Sequence, residues 1–476
     1  MGSTANAAFE VIPGAPVDFM RDFDLAALGY EEAEYLVTGT ATSYELEGER
    51  GEDGRWAVTP AAEAPFRTRI IVRKPSDPGR FSGVVIVEWH NVSAGIDAAP
   101  DWGFFHRSAT AAGHAFVGVS AQKAGIDGGG IAEGIHLKLL DPGRYESLDH
   151  PGDAWSFDIF TQLGRLLRLP VDEGPLEGLA AQRLIAAGES QSAACLVTYI
   201  NAIDPQSQAF DGYFVHGRPA AGLTLDGVFI RSARPDSGVP SIPEDVLSKG
   251  ERIRDDVRVP VLVLQSETDV ILLGGQKARQ PDSDRFRLWE MAGAAHADTY
   301  TVSAGRHDDG SLTGERFAEL LRPTTNLLIG QTDTPVNSGP QQHYVAQAAL
   351  DHLVRWVLEG VAPPTAQRLE VDDSGTDFHK DERGNVLGGI RTPWVDAPVA
   401  VLSGLGQAGD SFAFLFGQTS PFDEATLSEL YPGGKDEYLV RFTERLDATI
   451  EAGFMRAEDR NEILAIAAAS YPLLLA

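Results

Sequence analysis

Ser190 stands where an apolar run, Leu184-Ile185-Ala186-Ala187, ends at Gly188-Glu189 and a small-residue stretch, Gln191-Ser192-Ala193-Ala194, begins. A strand running through a glycine into a helix, with a serine at the bend, is the pattern of a nucleophile elbow: a strained turn lifts the hydroxyl into the open. Gly188 suits the bend because the backbones approach too closely there for a Cβ. The helix that follows brings its unpaired N–H groups beside the serine. A serine hydroxyl is a weak nucleophile on its own. It needs a base, and the base needs a group to orient it.

Both are present downstream. The run Val257-Arg258-Val259-Pro260-Val261-Leu262-Val263-Leu264-Gln265 reads as a buried strand and leads into Ser266-Glu267-Thr268-Asp269. Arg285-Phe286-Arg287-Leu288-Trp289-Glu290-Met291 reads as another and leads to Ala292-Gly293-Ala294-Ala295-His296. The order serine, acid, histidine, each at a strand's C-terminal end, predicts Ser190 as nucleophile and His296 as general base. Asp269 is the expected acid from its place in the loop, with Glu267 as the alternative. Small-x-Ser-x-small also fits a register centred on Ser192, which lacks the preceding glycine. The departure from G-x-S-x-G is Ser192 itself, still small enough for the helix to approach. An oxyanion hole requires backbone N–H donors. Gln191 should supply one, and the loop Trp89-His90-Asn91, through His90 or Asn91, the other.

These residues need a scaffold. Residues 32–46 and 66–73 read as strands, as do Gly83-Val84-Val85-Ile86-Val87-Glu88-Trp89, 114–120 and 210–216, with helices expected near 102–112, 154–167 and 341–359. Alternating strands and helices predict an α/β fold with a mostly parallel, doubly wound sheet, whose ligands bind at the strands' carboxyl ends. Residues 217–256 break the pattern and are expected to form a lid. Trp102, Phe104 and Phe105 are expected beside it in the substrate pocket. Residues 366–476 are expected to be a C-terminal extension packed on the core, making 1–476 a single domain.

Composition narrows the partners. A net charge of −30 over 476 residues disfavours nucleic acid and anionic membrane surfaces. Cys195 is the chain's one cysteine, which excludes an intrachain disulfide. No stretch reads as a membrane span and the N-terminal residues do not read as a secretory leader, so the expectation is a cytoplasmic protein. His307-Asp308-Asp309 and the Asp149–Asp153 cluster lack a ligand spacing, so neither a metal nor another cofactor is expected.

The chain resembles a bacterial α/β-hydrolase domain family of serine esterases. The phrases that carry the resemblance are Glu88-Trp89-His90-Asn91-Val92-Ser93, residues 141–148 and 150–153, Gly188 to Ser192, Glu267-Thr268-Asp269, and residues 289–298, 388–393 and 430–432. They span nearly the whole chain. The resemblance implies the α/β-hydrolase fold and a triad of Ser190, an acid (Asp269 or Glu267) and His296, and it does not fix the substrate; the expected reaction is cleavage of a small-molecule ester. A lactonase, amidase or acyltransferase would use the same groups. A non-catalytic binding protein could use the same fold. Neither the residues nor the resemblance set the oligomeric state.

Overall fold

The computed structural model describes residues 7–18, 21–129, 135–170, 173–227, 249–327, 330–410 and 412–473. Its centre is a sheet of strands β1 (Ala8–Ile12), β2 (Tyr30–Glu47), β3 (Ala57–Pro75), β4 (Val84–Trp89), β5 (Ala115–Val119), β6 (Arg183–Glu189), β7 (Gly212–His216), β8 (Val261–Gln265) and β9 (Phe286–Glu290), in the order β1-β2-β3-β5-β4-β6-β7-β8-β9. From β5 to β9 the pairings are parallel. β1, β2 and β3 form an antiparallel wing joined to β5.

Alternation along each parallel strand feeds two cores. Val85, Val87, Leu184, Ala186, Val261 and Val263 pack on one face with Phe157, Phe160 and Leu163 of helix α1 (Ser156–Leu166) and Leu196 of α2 (Gln191–Thr198). Val84, Ile86, Ile185, Ala187, Leu262 and Leu264 pack on the other, with Trp102 and Phe105 of the helix Pro100–Ala111 and Leu350 and Leu353 of α3 (Gln341–Glu359). Side chains that point alternately to opposite faces explain why the strands read as unbroken apolar runs.

The order β5-β4-β6 places the switch in winding direction between β4 and β6, which opens a crevice at their carboxyl ends. The loops that start at His90 and Ser190 meet there.

Trp102, Phe104 and Phe105 do not form the expected substrate pocket: Phe104 lines a small cleft with Pro100, Gly103 and Tyr300, whose lining includes neither Ser190 nor His296. All are buried in the second core, where Trp102 meets Phe116, Phe105 meets Phe214 and Phe104 meets Tyr300 and His216. Of the stretch expected to be a lid, residues 228–248 lie outside the described residues. Its flanks are tied down: Arg50, on the loop between β2 and β3, binds both carboxylate oxygens of Glu251 at 2.6 Å and the carbonyls of Gly222 and Leu223. In the C-terminal part, Ile463, Ile466 and Ala467 of the helix Arg460–Leu473 are buried in the second core. Among the described residues no helix is long and apolar enough to cross a membrane.

Candidate active site

Ser190 follows β6 directly and precedes α2, with φ +59° and ψ −117°. An L-residue held there is strained by about 1–3 kcal/mol, a cost the surrounding contacts must offset. Its N–H donates to the His216 carbonyl at 2.8 Å and its carbonyl accepts from Ala194 N–H at 3.1 Å. A Cβ on Gly188 would stand 3.0 Å from the Ser192 backbone and 3.1 Å from Leu196, a tight approach that favours glycine here. Ser192 is fully buried within α2, and its hydroxyl has no hydrogen-bond partner. The hydroxyl that faces the histidine is that of Ser190.

His296 Nε2 lies 2.8 Å from Ser190 Oγ, and Nδ1 lies 2.5 Å from Asp269 Oδ1. Asp269 belongs to the short helix Glu267–Ile271 after β8. Its other oxygen accepts from Ser266 N–H at 2.6 Å and from Ser266 Oγ at 2.8 Å, a capping box that fixes the carboxylate. The histidine loop is anchored too: His296 N–H donates to Thr268 Oγ1 at 3.1 Å, and its carbonyl accepts from Gln342 on α3 at 3.2 Å.

Glu267 faces elsewhere. It accepts the N–H of Gly293 at 2.6 Å and of Gly404 at 2.7 Å, linking the histidine loop to the C-terminal part of the chain. Burial raises its carboxyl to about 7 despite those two donors.

The loop after β4 differs from expectation. His90 N–H donates to the Val119 carbonyl at 3.1 Å, and Asn91 N–H to the Ala98 carbonyl at 2.8 Å. Both are consumed by backbone pairing, so neither His90 nor Asn91 offers its N–H to an oxyanion. Among the described residues, no backbone bond uses the Val92 N–H, the next along. Gln191 opens α2, where an N–H has no partner within the helix.

Three more side chains belong to the neighbourhood. Glu189 Oε1 lies 3.0 Å from His296 Nε2. His216, at the end of β7, pairs through Nδ1 with Asp101 Oδ1 at 2.9 Å. Burial presses the His216 ring down to about 4 and holds the Asp101 carboxyl far above its ordinary range, with the charge of Glu189 adding to the latter. His296 moves the other way. Burial lowers it, but the carboxylates of Glu189 and Asp269 outweigh burial and raise it above the ordinary histidine range.

A doubly wound sheet with a serine on a strained strand-to-helix turn, facing an Asp-paired histidine, is the layout of the α/β hydrolases. The chain belongs to that family: the family model described as "Alpha/beta hydrolase domain" matches residues 4–465. No curated protein matches the sequence. Among solved structures, the chain is similar to XC6422 from Xanthomonas campestris, a serine hydrolase without a lid (16% identity, 53% of this chain and 83% of that one, TM-score 0.28). It is also similar to the rice cell wall degrading esterase LipA from Xanthomonas oryzae (11% identity, 61% and 91%, TM-score 0.33). A third is the esterase domain of a Rhodothermus marinus protein (14% identity, 53% and 88%, TM-score 0.25).

Proposed function

We propose that the protein is a cofactor-independent serine hydrolase that cleaves carboxylic esters through an acyl-enzyme. The observation that carries this reading is the continuous chain Ser190 Oγ, His296 Nε2, His296 Nδ1, Asp269 Oδ1, with separations of 2.8 Å and 2.5 Å across its two hydrogen bonds. Ser190 Oγ attacks the ester carbonyl carbon while its proton passes to Nε2. Asp269 keeps the other ring proton on Nδ1 and stabilises the imidazolium. The carbonyl oxygen becomes an oxyanion, received by the Gln191 N–H and, in this proposal, by the Val92 N–H. Collapse expels the alcohol, which takes the proton from Nε2. Water then gives a proton to Nε2 and attacks the acyl-enzyme, and the acid departs with Ser190 restored.

The test is hydrolysis of short and long p-nitrophenyl esters by wild type, Ser190→Ala and Ser192→Ala. Turnover by wild type and Ser192→Ala, lost only in Ser190→Ala, is expected. Turnover that survives Ser190→Ala would refute the assignment.

A further inference from the structure

His296 has a partner that a triad does not require. Its Nε2 lies 2.8 Å from Ser190 Oγ and 3.0 Å from Glu189 Oε1. Nε2 carries at most one proton. When it carries one, both oxygens can accept from it. When it carries none, as a general base must, its lone pair faces a carboxylate oxygen at contact distance. The carboxylate therefore favours the protonated ring over the basic one.

Glu189 is held in this position. It is only 7% exposed, Asn91 Nδ2 donates to its Oε2 at 3.3 Å, and the same amide nitrogen binds its backbone carbonyl at 3.1 Å. Gly217, at φ +61°, makes room opposite: a Cβ there would stand 3.1 Å from the imidazole and 3.5 Å from Glu189 Oε1. The charged and titratable groups around the ring come from several elements. Asp269 of the helix after β8 faces Nδ1, and Glu189 of β6 faces Nε2. His216 of β7, backed by Asp101 and under the influence of Asp298, completes the set. Burial keeps His216 neutral, so it does not offset the two carboxylates.

We propose that Glu189 is a positioning residue that holds the Nε2 proton of His296 in the resting protein, and so sets the pH above which Ser190 is activated. This rests on the serine-hydrolase reading. In the reaction the proton taken from Ser190 Oγ sits on Nε2 beside the same carboxylate, then passes to the departing alkoxide. Glu189 thus stabilises the imidazolium of the intermediate as well as that of the resting state. The expected signature is an acid limb displaced to high pH, with no loss of rate on the plateau above it.

The experiment follows two readouts across pH in wild type, Glu189→Gln and Glu189→Asp: kcat/KM for a p-nitrophenyl ester, and the titration of His296 in selectively 15N-histidine-labelled protein, assigned by its loss in His296→Gln. Glu189→Gln is expected to lower both midpoints together by about one unit. One unit below the wild-type limb, its kcat/KM relative to its own plateau then exceeds that of wild type by about fivefold. Glu189→Asp draws the carboxylate back by one methylene and is expected to shift both midpoints less, in the same direction; it also carries the test if the Gln variant fails to fold. A purely structural role would lower kcat/KM at every pH and leave the midpoints in place, and that result in the folded variants would overturn the proposal. A His296 titration that shifts as expected in a protein without ester turnover would refute the hydrolase reading and leave the hold on the proton standing.

Discussion

Two aspartate–histidine pairs sit at the carboxyl ends of neighbouring strands, and only one faces a serine. Asp269 and His296 meet at 2.5 Å, and Asp101 and His216 at 2.9 Å. They are joined through the backbone, because the His216 carbonyl accepts the N–H of Ser190. Their chemistry diverges with their surroundings. Asp269 is held by the N–H and hydroxyl of Ser266, both of which favour a carboxylate, so its charge supports an imidazolium. Asp101 has an oxygen with no partner; burial, with the charge of Glu189 adding to it, pushes its carboxyl well above the ordinary carboxylate range. His216, packed edge-on against Phe104 at 4.9 Å, is held neutral. An Asp–His contact alone does not make a base. What matters is whether the acid is ionised and whether the far nitrogen faces a group that can lose a proton.

The largest effects should come from breaking the charged pair. Ser190→Ala and His296→Ala are each expected to lower kcat by about 10⁴-fold or more, measured with a p-nitrophenyl ester. Asp269→Asn should cost about 10³–10⁴-fold, because the amide favours the wrong tautomer. Asp101→Asn sharpens the contrast: the amide is nearly isosteric with the carboxyl and its histidine faces no serine, so kcat should change by no more than about threefold. A large loss in Asp101→Asn would mean that the two pairs act as one.

The two histidines should also oppose each other in pH linkage. His216 has a folded pKa of about 4, below its unfolded 6.5, so the unfolded chain binds more protons between those values. Stability from this group is therefore present above 6.5 and lost as pH falls through 4, on the order of 3 kcal/mol. His296 is raised, so its contribution is present below 6.5 and declines as pH rises through its folded value. Urea midpoints measured across pH should show His216→Phe losing the acid-side slope, while His296→Phe loses the alkaline-side one.

Smaller effects separate the two acids after β8. Glu267→Gln cannot satisfy both Gly293 and Gly404 N–H, so it should lose about 1–3 kcal/mol of stability, read by urea denaturation. Its effect on kcat should be about tenfold at most, against the far larger cost of Asp269→Asn. The smallest expected change in stability is a gain: Ser190→Gly relieves the φ +59° strain and should stabilise the fold by about 1 kcal/mol, although turnover is lost with the hydroxyl.

What could be read from the chain was what local geometry dictates. Ser190, Asp269 and His296 each follow a strand whose apolar run announces it, and Gly188 marks the tight approach. The helix read at 341–359 matches α3, and the strand read at 83–89 matches β4 to within one residue, for the same reason. The misreadings depend on distant partners. Sequence alone leaves His90 and Asn91 free to donate, but Val119 and Ala98 claim their N–H groups, which no local pattern reveals. β3 begins at Ala57, far earlier than its β-branched part, because Pro60 and Pro65 lie where β3 pairs with β2 alone and its other edge is free of the sheet. Trp102, Phe104 and Phe105 have the apolar character of a pocket wall, but their helix buries them against the sheet. Glu189 was overlooked as the intervening residue of an elbow pattern. Its signal was an acid beside a proposed nucleophile, meaningful only once His296 is folded against it.

The most direct test of the central claim is to treat the protein with a fluorophosphonate probe and locate the adduct by mass spectrometry. A single adduct on Ser190, present in Ser192→Ala and absent from His296→Ala, is the predicted result. No adduct, or one on Ser192 or elsewhere, would contradict the account.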